Sequence, residues 1–366
     1  MTLQTPVSVS SEDSRAPDRR AAARTAWARA ATGDPALEVE RASMDAGFRS
    51  YWRGHPAAGP HASKSVIVMD SPPDKEAVLP WLEVRSLLQA GDVRVPGVLA
   101  EDVEHGFLLL EDLGHQTYLH VVDADNADAL FDDAIGQLLK LQQVTAPEGF
   151  PAYDEALLAR ELRLFDEWFL GRHLGATLDC DDLERLELVY RHLIDAALAQ
   201  PQVLVHRDFM PRNLMPTSGM LNGSMLNGSM LNDSTPAVDG PAVLDFQDAV
   251  LGPIAYDPIC LFKDAFLSWP QARIDAWLDR YHARARAAGL PVPALARFRR
   301  DADFIGVHRH LKVIGIFARL NYRDSKPKYL ADAARFLAYL DGVVPKYPEL
   351  VPLGELLDRH VRPAFD

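Results

Sequence analysis

The sequence predicts an α+β chain with two lobes: a small, β-rich N-terminal lobe and a larger, mostly helical C-terminal lobe. Three observations predict this division. Short apolar runs bounded by turn residues dominate the N-terminal part, and apolar residues recur mainly at helical spacing from about Tyr118 onward. In the second part, two short Val/Leu runs each lead to an acidic residue, Asp208 and Asp245. The predicted segments are a disordered leader over 1–22, an N-terminal lobe over 23–114 and a C-terminal lobe over 115–366.

Composition and charge exclude several classes of protein. Apolar residues make up 48% and charged residues 25%, which is ordinary for a globular chain with ample core material. The net charge of −14 argues against a nucleic-acid partner. No apolar run is long enough to cross a membrane, and residues 1–23 lack the apolar core of a secretion signal. We therefore expect a cytoplasmic protein, with no membrane contact and no evident obligate protein partner.

The two cysteines, Cys180 and Cys260, form no C-x-x-C pair, so neither a zinc site nor a disulfide framework is expected.

The N-terminal lobe is predicted to contain strands on both sides of one helix. Residues 1–22 are rich in Pro, Ser and Arg, which is typical of disorder. The elements that follow are a helix over 24–31, a hairpin over 43–53, a strand over 65–70, a helix over 74–89 and strands over 98–99 and 106–111. Pro72-Pro73 separates the strand from the helix after it. We interpret this order as β-β-α-β-β.

The C-terminal lobe is predicted to be helical around one strand pair. Amphipathic helices are expected over 130–144, 157–174 and 181–199, and helices return from Ile259 to the C-terminus. A short strand over 203–205 leads towards Asp208. We expect its partner to be the strand over 242–244, which leads into Asp245.

A repeat lies between these two strands. The pentad Met-Leu-Asn-Gly-Ser occurs at 220–224 and 225–229, and Met-Leu-Asn-Asp-Ser follows at 230–234. The entropy of closing a loop rises only slowly with loop length, so a hairpin tip can accept such an addition. We predict a mobile surface insertion over 217–240.

The segment His206–Asn213 carries the most specific motif of the chain, H-R-D-x-x-x-x-N. Phosphoryl transfer requires a carboxylate that orients an attacking hydroxyl, and hard oxygen ligands that hold Mg²⁺ against a triphosphate. Asp208 is the candidate base, and Asn213 with Asp245 are the candidate Mg²⁺ ligands. If Asp208 were only a helix cap and Asp245 a turn former, nothing would explain why both acids follow short apolar strands. ATP is then the expected co-substrate, and the β-β-α-β-β lobe fits the small nucleotide-binding lobe of a protein-kinase-like fold.

Two segments are candidates for binding the nucleotide. Glu111, Asp112 and Leu113 follow a predicted strand at the exit of the small lobe, where backbone N–H and C=O groups could bind adenine. An ordinary buried strand that ends in an acidic turn is the alternative. Arg49 lies in the hairpin where a phosphate-covering loop would be, although the segment lacks G-x-G-x-x-G and a plain surface turn remains open.

Several polar residues are candidates for other roles at the site. His206 is expected to brace the loop, with no chemical role. Arg207 and Arg212 could contact the substrate or pair with acids, and both options stay open. Asp248 is a candidate substrate contact or third metal ligand, with turn capping as the alternative.

The segment 308–328 is basic within an acidic chain, and its apolar positions recur at helical spacing. Its charges could form a solvated helix face. Alternatively, Arg309 and Lys312 bind an anionic group of the substrate.

With Asp257 in the segment 252–258, these motifs resemble the aminoglycoside phosphotransferase/choline kinase superfamily. Within it, the chain is most similar to the kinases that phosphorylate the anomeric hydroxyl of N-acetylmuramate and N-acetylglucosamine in bacterial cell-wall recycling. The segments that carry this closer resemblance are 106–114, 164–169, 246–250 and 309–320.

The resemblance implies transfer of the γ-phosphate of ATP to the C1 hydroxyl of an amino sugar. It implies Asp208 as the base and Asn213 and Asp245 as Mg²⁺ ligands. N-acetylmuramate carries a lactyl carboxylate, and Arg309 or Lys312 would suit it.

One position departs from the pattern of kinases. Met69 stands in the strand where most kinases place a lysine that pairs with phosphate, so Lys64, Arg49 or Arg53 could substitute, or Mg²⁺ alone could serve. This departure motivates a pseudokinase scaffold as an alternative, which the intact Asp208 argues against. A kinase of polycationic aminoglycosides is the other alternative, which the net charge of −14 permits.

Overall fold

The computed structural model of the chain describes residues 16–44, 48–217 and 240–365. Unit 1 comprises residues 1–85 and 95–114, and unit 2 comprises residues 86–94 and 115–366. A five-stranded sheet lies in unit 1, whereas helices dominate unit 2. The prediction of an α+β chain with a small β-rich part and a larger helical part is confirmed.

Unit 1 is built on an antiparallel sheet with the strand order β1-β2-β3-β5-β4. Its elements are α1 (Ala16–Thr32), β1 (Val39–Met44), β2 (Ser50–Gly54), β3 (Val66–Asp70), β4 (Val98–Asp102) and β5 (Phe107–Glu111), and α2 (Leu79–Ala90) follows β3. Three strands, β1 to β3, precede α2, whereas the predicted order β-β-α-β-β has two strands before the helix. The difference arises because the predicted hairpin forms two strands, β1 and β2, and the predicted strand over 65–70 forms the third. Residues 45–47 of that hairpin lie outside the described residues.

Helix α1 packs on one face of this sheet. Ala28 joins a buried cluster with Val66, Val68 and Leu109, whose side chains point to that face. The helix begins at Ala16 and so includes residues 16–22, which the sequence assigned to a disordered leader. A salt bridge from Arg20 to Asp70 (2.8 Å) gives this early turn a tertiary contact that local composition does not reveal. Residues 1–15 lie outside the described part of the chain.

Unit 2 consists of helices around two short strand pairs. Its helices are α3 (Tyr118–Val121), α4 (Ala127–Gln143), α5 (Glu155–Leu164), α6 (Cys180–Leu198), α7 (Tyr256–Phe262), α8 (Gln271–Ala287), α9 (Leu295–Asp324), α10 (Ala333–Asp341) and α11 (Val351–His360). Its strands are β6 (Gln202–Val205), β7 (Leu214–Met215), β8 (Ala242–Val243) and β9 (Val250–Pro253). Among the described residues, no helix combines the length and hydropathy needed to cross a membrane.

The strand pairing in unit 2 differs from the predicted one. β6 pairs with β9, and β7 pairs with β8, so the prediction that strand 203–205 pairs with 242–244 is wrong. The chain returns directly after Asn213 as β7 and takes the position beside β8. The N–H of Leu244 extends this pair by donating to the carbonyl of Asn213 at 2.9 Å. The pentad repeat lies outside the described residues, but its flanks meet at Thr217, whose Oγ1 donates to the carbonyl of Gly240 at 3.3 Å.

Helix α9 is the central helix of unit 2. It packs against α5, α6 and a π-helical segment over Phe165–His173, which continues α5 without a break. The single helix predicted over 157–174 is thus an α-helix followed by a π-helix. Because neighbours cover α9 on several sides, its polar residues Arg309 and Lys312 are buried together with its apolar ones.

Candidate active site

The loop after β6 is anchored by a buried carboxylate in α7. Both oxygens of Asp257 accept backbone N–H groups of the loop, from His206 at 2.7 Å and from Arg207 at 3.0 Å. Burial raises the pKa of Asp257 to about 6, although His206 and the two N–H donors act in the opposite direction. Asp257 therefore fixes the start of the loop that carries Asp208.

His206 links this loop to the segment after β8. Its Nε2 donates to the carbonyl of Leu244 at 2.8 Å, and its Nδ1 accepts the N–H of Asp208 at 3.2 Å. Burial lowers the pKa of His206 below its ordinary value, so the ring is held neutral. The predicted bracing role is confirmed by these two bonds.

The three candidate chemical residues lie together at the end of the loop. The side-chain amide of Asn213 donates to the carbonyl of Asp208 at 2.9 Å and lies 3.5 Å from Oδ2 of Asp245. Asn213 itself ends a 3₁₀ turn that begins at Pro211. Residues that are 32 positions apart in the sequence are thus side by side in unit 2.

This arrangement suits a hard divalent cation. Magnesium is commonly bound by one or two protein carboxylates and amides while substrate phosphates and water complete its shell. In the described ranges no cluster of three or more His, Cys, Asp or Glu could hold a metal alone, so phosphate oxygens would have to contribute. Gln247 donates to Oδ1 of Asp245 at 2.9 Å, and its own Oε1 is buried without a hydrogen-bond partner among the described residues. That oxygen is a further candidate metal ligand, on a side chain that contacts Asp245.

A buried ion cluster lies behind the loop. Glu161 of α5 pairs with Arg207 of the loop and, at 2.9 Å, with Nζ of Lys312 in α9. It also accepts the hydroxyl of Tyr153, while Lys312 donates to the hydroxyl of Tyr256 at 3.1 Å. Burial acts to raise the pKa of Glu161, but the charges of Lys312 and Arg207 outweigh it and lower the pKa to about 2. Glu161 is therefore ionised at neutral pH and links α5 and α9 to the loop.

The basic residues predicted to bind substrate have different environments. Arg309 is 1% exposed, and one of its nitrogens donates to the carbonyl of Lys263 at 3.2 Å. Lys312 is 7% exposed and belongs to the Glu161 cluster. The alternative that both charges form a solvated helix face is wrong, because both side chains are buried.

Arg212 and Asp248, in contrast, are exposed. The guanidinium of Arg212 lies 5.4 Å from the ring centre of Phe266, a residue of the segment after α7. The carbonyl of Asp248 accepts a bond from Arg207 at 3.3 Å, which resolves one open option: Arg207 pairs with protein groups.

In unit 1 the side chains of the candidate nucleotide-binding residues Arg49 and Asp112 form ion pairs with other protein residues. Arg49 is buried and paired with Glu76. Asp112 accepts from Arg53 at 2.9 Å, and Arg53 also donates to the carbonyl of Gly114 at 2.7 Å.

The other candidate nucleotide-binding residues of unit 1 are Glu111 and Leu113. Glu111 accepts the N–H of Gly97 at 3.1 Å, and Leu113 is half-buried. Met69 is fully buried in β3 opposite Tyr51 of β2, and Arg53, two residues further along β2, pairs with Asp112.

Sequence reasoning missed Glu161 and Phe266. Glu161 had a visible signal, because it is an acid among the apolar positions Leu158, Leu162 and Phe165 of a helix. A charge at such a position is buried and needs a partner. Phe266 had no comparable signal, because an aromatic residue after a helix is unremarkable by itself.

Comparison with known proteins gives these motifs a family. The family described as "Phosphotransferase enzyme family" matches residues 38–223. The chain belongs to this family. It is an enzyme of the phosphotransferase class, and the predicted resemblance is confirmed.

Curated relatives extend this phosphotransferase match over most of the chain. The N-acetylmuramate/N-acetylglucosamine kinase of Pseudomonas putida is 51% identical over 326 residues, which are 88% of each chain. The proteins of the same name from Pseudomonas aeruginosa and Neisseria meningitidis serogroup B are 48% and 41% identical, over 88% and 90% of this chain and 88% and 93% of theirs.

Solved structures of low identity share the fold. The ADP-bound aminoglycoside phosphotransferase APH(2'')-Ib aligns with a TM-score of 0.53 at 16% identity and covers 87% of this phosphotransferase and 97% of its own chain. The choline kinase LicA from Streptococcus pneumoniae aligns with a TM-score of 0.56 at 12% identity, covering 88% and 99%. These likenesses confirm the protein-kinase-like fold.

Proposed function

We propose that this phosphotransferase uses ATP to phosphorylate the anomeric hydroxyl of N-acetylmuramate and N-acetylglucosamine. The observation that carries the proposal is the identity of 41–51% to three kinases named for these two sugars, over at least 88% of the chain. The sugar 1-phosphate would return cell-wall fragments to nucleotide-sugar synthesis. Since ATP is a cytoplasmic co-substrate, we place the reaction in the cytoplasm.

Asp208 is the proposed base. An anomeric hydroxyl is more acidic than an ordinary alcohol, so the carboxylate mainly orients it and accepts its proton late. As the C1 oxygen bonds to the γ-phosphorus, the bond from that phosphorus to the β–γ bridging oxygen breaks and ADP leaves. The hydroxyl proton passes to Asp208. The fixed backbone around Asp208 supports this role, because the loop is bonded to Asp257 and Asn213 on either side.

Asn213 and Asp245 are the proposed ligands of Mg²⁺, which supplies positive charge to the phosphate oxygens when bound. Their adjacency at 3.5 Å supports the assignment. The amide nitrogen of Asn213 donates to the carbonyl of Asp208, so the amide oxygen is the atom that would bind the cation.

In unit 1 we propose that the backbone of Glu111, Asp112 and Leu113 binds adenine and that Arg49 binds a phosphate. The bonds of Asp112 to Arg53 support a rigid backbone at this segment. Arg49 would have to share or leave Glu76 in order to bind phosphate.

An acceptor screen tests the proposal. ATP consumption with Mg²⁺ is measured for N-acetylmuramate, N-acetylglucosamine, kanamycin and choline. We expect turnover with the two amino sugars and none with the other two. Turnover with kanamycin or choline, without either amino sugar, would refute the proposed acceptor.

A further inference from the structure

In the loop over residues 206–213, which carries Asp208, Arg212 is the exposed residue. It lies directly before Asn213 in the 3₁₀ turn that starts at Pro211. The turn is fixed because Asn213 bonds to the carbonyl of Asp208 at 2.9 Å and accepts the N–H of Leu244, also at 2.9 Å. The candidate base and this arginine therefore belong to the same hydrogen-bonded loop.

Arg212 is paired with an aromatic ring that is itself fixed. Its guanidinium lies 5.4 Å from the ring centre of the half-buried Phe266. Asp264, which is fully buried, holds this segment by accepting the N–H groups of Phe266 at 2.6 Å and of Leu267 at 2.9 Å. An arginine that stacks on a ring keeps its planar edge available for a carboxylate, and the ring offers an apolar face to a sugar.

The other basic residues near the loop are already occupied. Arg207 and Lys312 share Glu161, and Arg309 is buried against the carbonyl of Lys263. Arg212 is exposed, and within residues 16–44, 48–217 and 240–365 the ring of Phe266 is its only charged, polar or aromatic partner. Of these four basic residues, Arg212 is the one that is exposed.

We propose that Arg212 determines acceptor specificity by binding the lactyl carboxylate of N-acetylmuramate, while Phe266 packs against the sugar ring that both acceptors share. This inference rests on the proposed function. The sequence predicted Arg309 or Lys312 as the partner of the lactyl carboxylate. Both side chains are buried, whereas Arg212 is exposed, so we assign the contact to Arg212 instead. The planar fork of arginine matches a carboxylate with two parallel hydrogen bonds.

The test compares the two sugars in Arg212 variants. For Arg212→Ala we expect kcat/KM to fall roughly 10- to 100-fold with N-acetylmuramate, because a charge-assisted hydrogen bond is lost. With N-acetylglucosamine, which lacks the carboxylate, kcat/KM should stay nearly unchanged, as should the KM for ATP. Arg212→Lys should recover part of the loss because it keeps the charge without the fork. Phe266→Leu should lower kcat/KM for both sugars by similar factors.

Arg300→Ala is the matched control. Arg300 also covers an aromatic ring, that of Phe304 at 4.2 Å, and it precedes Lys312 in α9 by twelve residues, about 18 Å along the axis. Its removal should leave the ratio of the two kcat/KM values unchanged. Melting curves show whether Arg212→Ala is folded. If it is not, the ratio of the two kcat/KM values is compared between Arg212→Lys and the wild type.

Three outcomes separate this inference from the proposed function. A selective loss with N-acetylmuramate supports the inference. Equal losses on both sugars, or a raised KM for ATP in Arg212→Ala, would overturn it while the proposed function stands. If the wild-type enzyme phosphorylates neither sugar, the proposed function fails and the inference falls with it.

Discussion

Arg207 and Asp245 both adopt left-handed backbone conformations, with φ of 76° and 62°. Such a conformation costs a non-glycine residue about 1–2 kcal/mol, so the surrounding bonds must hold it. Asp257 binds the N–H of Arg207, and Gln247 binds the carboxylate of Asp245. The strain at Arg207 and Asp245 is thus offset by hydrogen bonds with Asp257 and Gln247.

At this scale the first prediction concerns Asp208. Asp208→Asn should lower kcat by about 10²–10⁴-fold, because a positioned base is lost. ATP affinity, measured by calorimetry in Mg²⁺, should stay close to that of the wild type, since the proposed metal ligands are other residues. Asp195→Asn, an exposed acid of α6, is the control and should be fully active. If Asp208→Asn kept more than half of the activity, Asp208 would not be the base.

The second prediction concerns Lys312 as a positioning residue. Lys312→Met removes one of the two cations that hold Glu161, and breaking a buried ion pair typically costs about 3–5 kcal/mol. We expect a lower Tm and a kcat that falls by the same factor for both sugars, because the effect reaches the loop through Arg207. Lys312→Arg, which keeps the charge, should restore most of both.

Kinetics with the two sugars distinguish this role from substrate binding. A loss confined to N-acetylmuramate in Lys312→Met would show that Lys312 binds the carboxylate directly. A variant as stable and active as the wild type would show that the Lys312–Glu161 pair does not position the loop.

At the scale of elements, α9 approaches the end of α5 without space for a side chain. A Cβ on Gly315 would lie 2.3 Å from the carbonyl carbon and oxygen of Leu164. Overpacking of this kind costs about 1–3 kcal/mol, so Gly315→Ala should lower Tm measurably. Gly306→Ala in the same helix is the control, because its nearest neighbour, Ile259, is 3.7 Å away. That change should be neutral or raise Tm, since alanine favours helix by about 1 kcal/mol; equal effects of the two variants would contradict the packing described.

The pentad repeat gives a prediction for the connection between β7 and β8. Deleting residues 220–234 should leave kcat and Tm nearly unchanged, because the strands pair directly and Thr217 already bonds to Gly240. Circular dichroism and the acceptor assay check this. Lost activity or a Tm lower by many degrees would show that the repeat is an integrated element.

For the whole molecule, the sequence predicts what local pattern encodes. Asp208 and Asn213 lie in one loop, and apolar spacing indicates the order of strands and helices. The catalytic motif and the fold class can therefore be predicted from the sequence. Strand pairing between segments that are distant in the sequence cannot be predicted from apolar spacing. The exchange of partners among β6, β7, β8 and β9 and the burial of Lys312 depend on which elements cover each other. For the same reason the position of Phe266 beside Arg212 could not be predicted, whereas Glu161 could have been noticed as an acid among the apolar positions of α5.

We propose above all that this phosphotransferase transfers phosphate to the anomeric oxygen of an amino sugar. The most direct measurement is NMR of the product formed from ATP and N-acetylmuramate, with the coupling between phosphorus and the sugar protons assigning the position. We expect phosphate on C1, and the same position when N-acetylglucosamine is the acceptor. Phosphate on any other carbon of either sugar would contradict it.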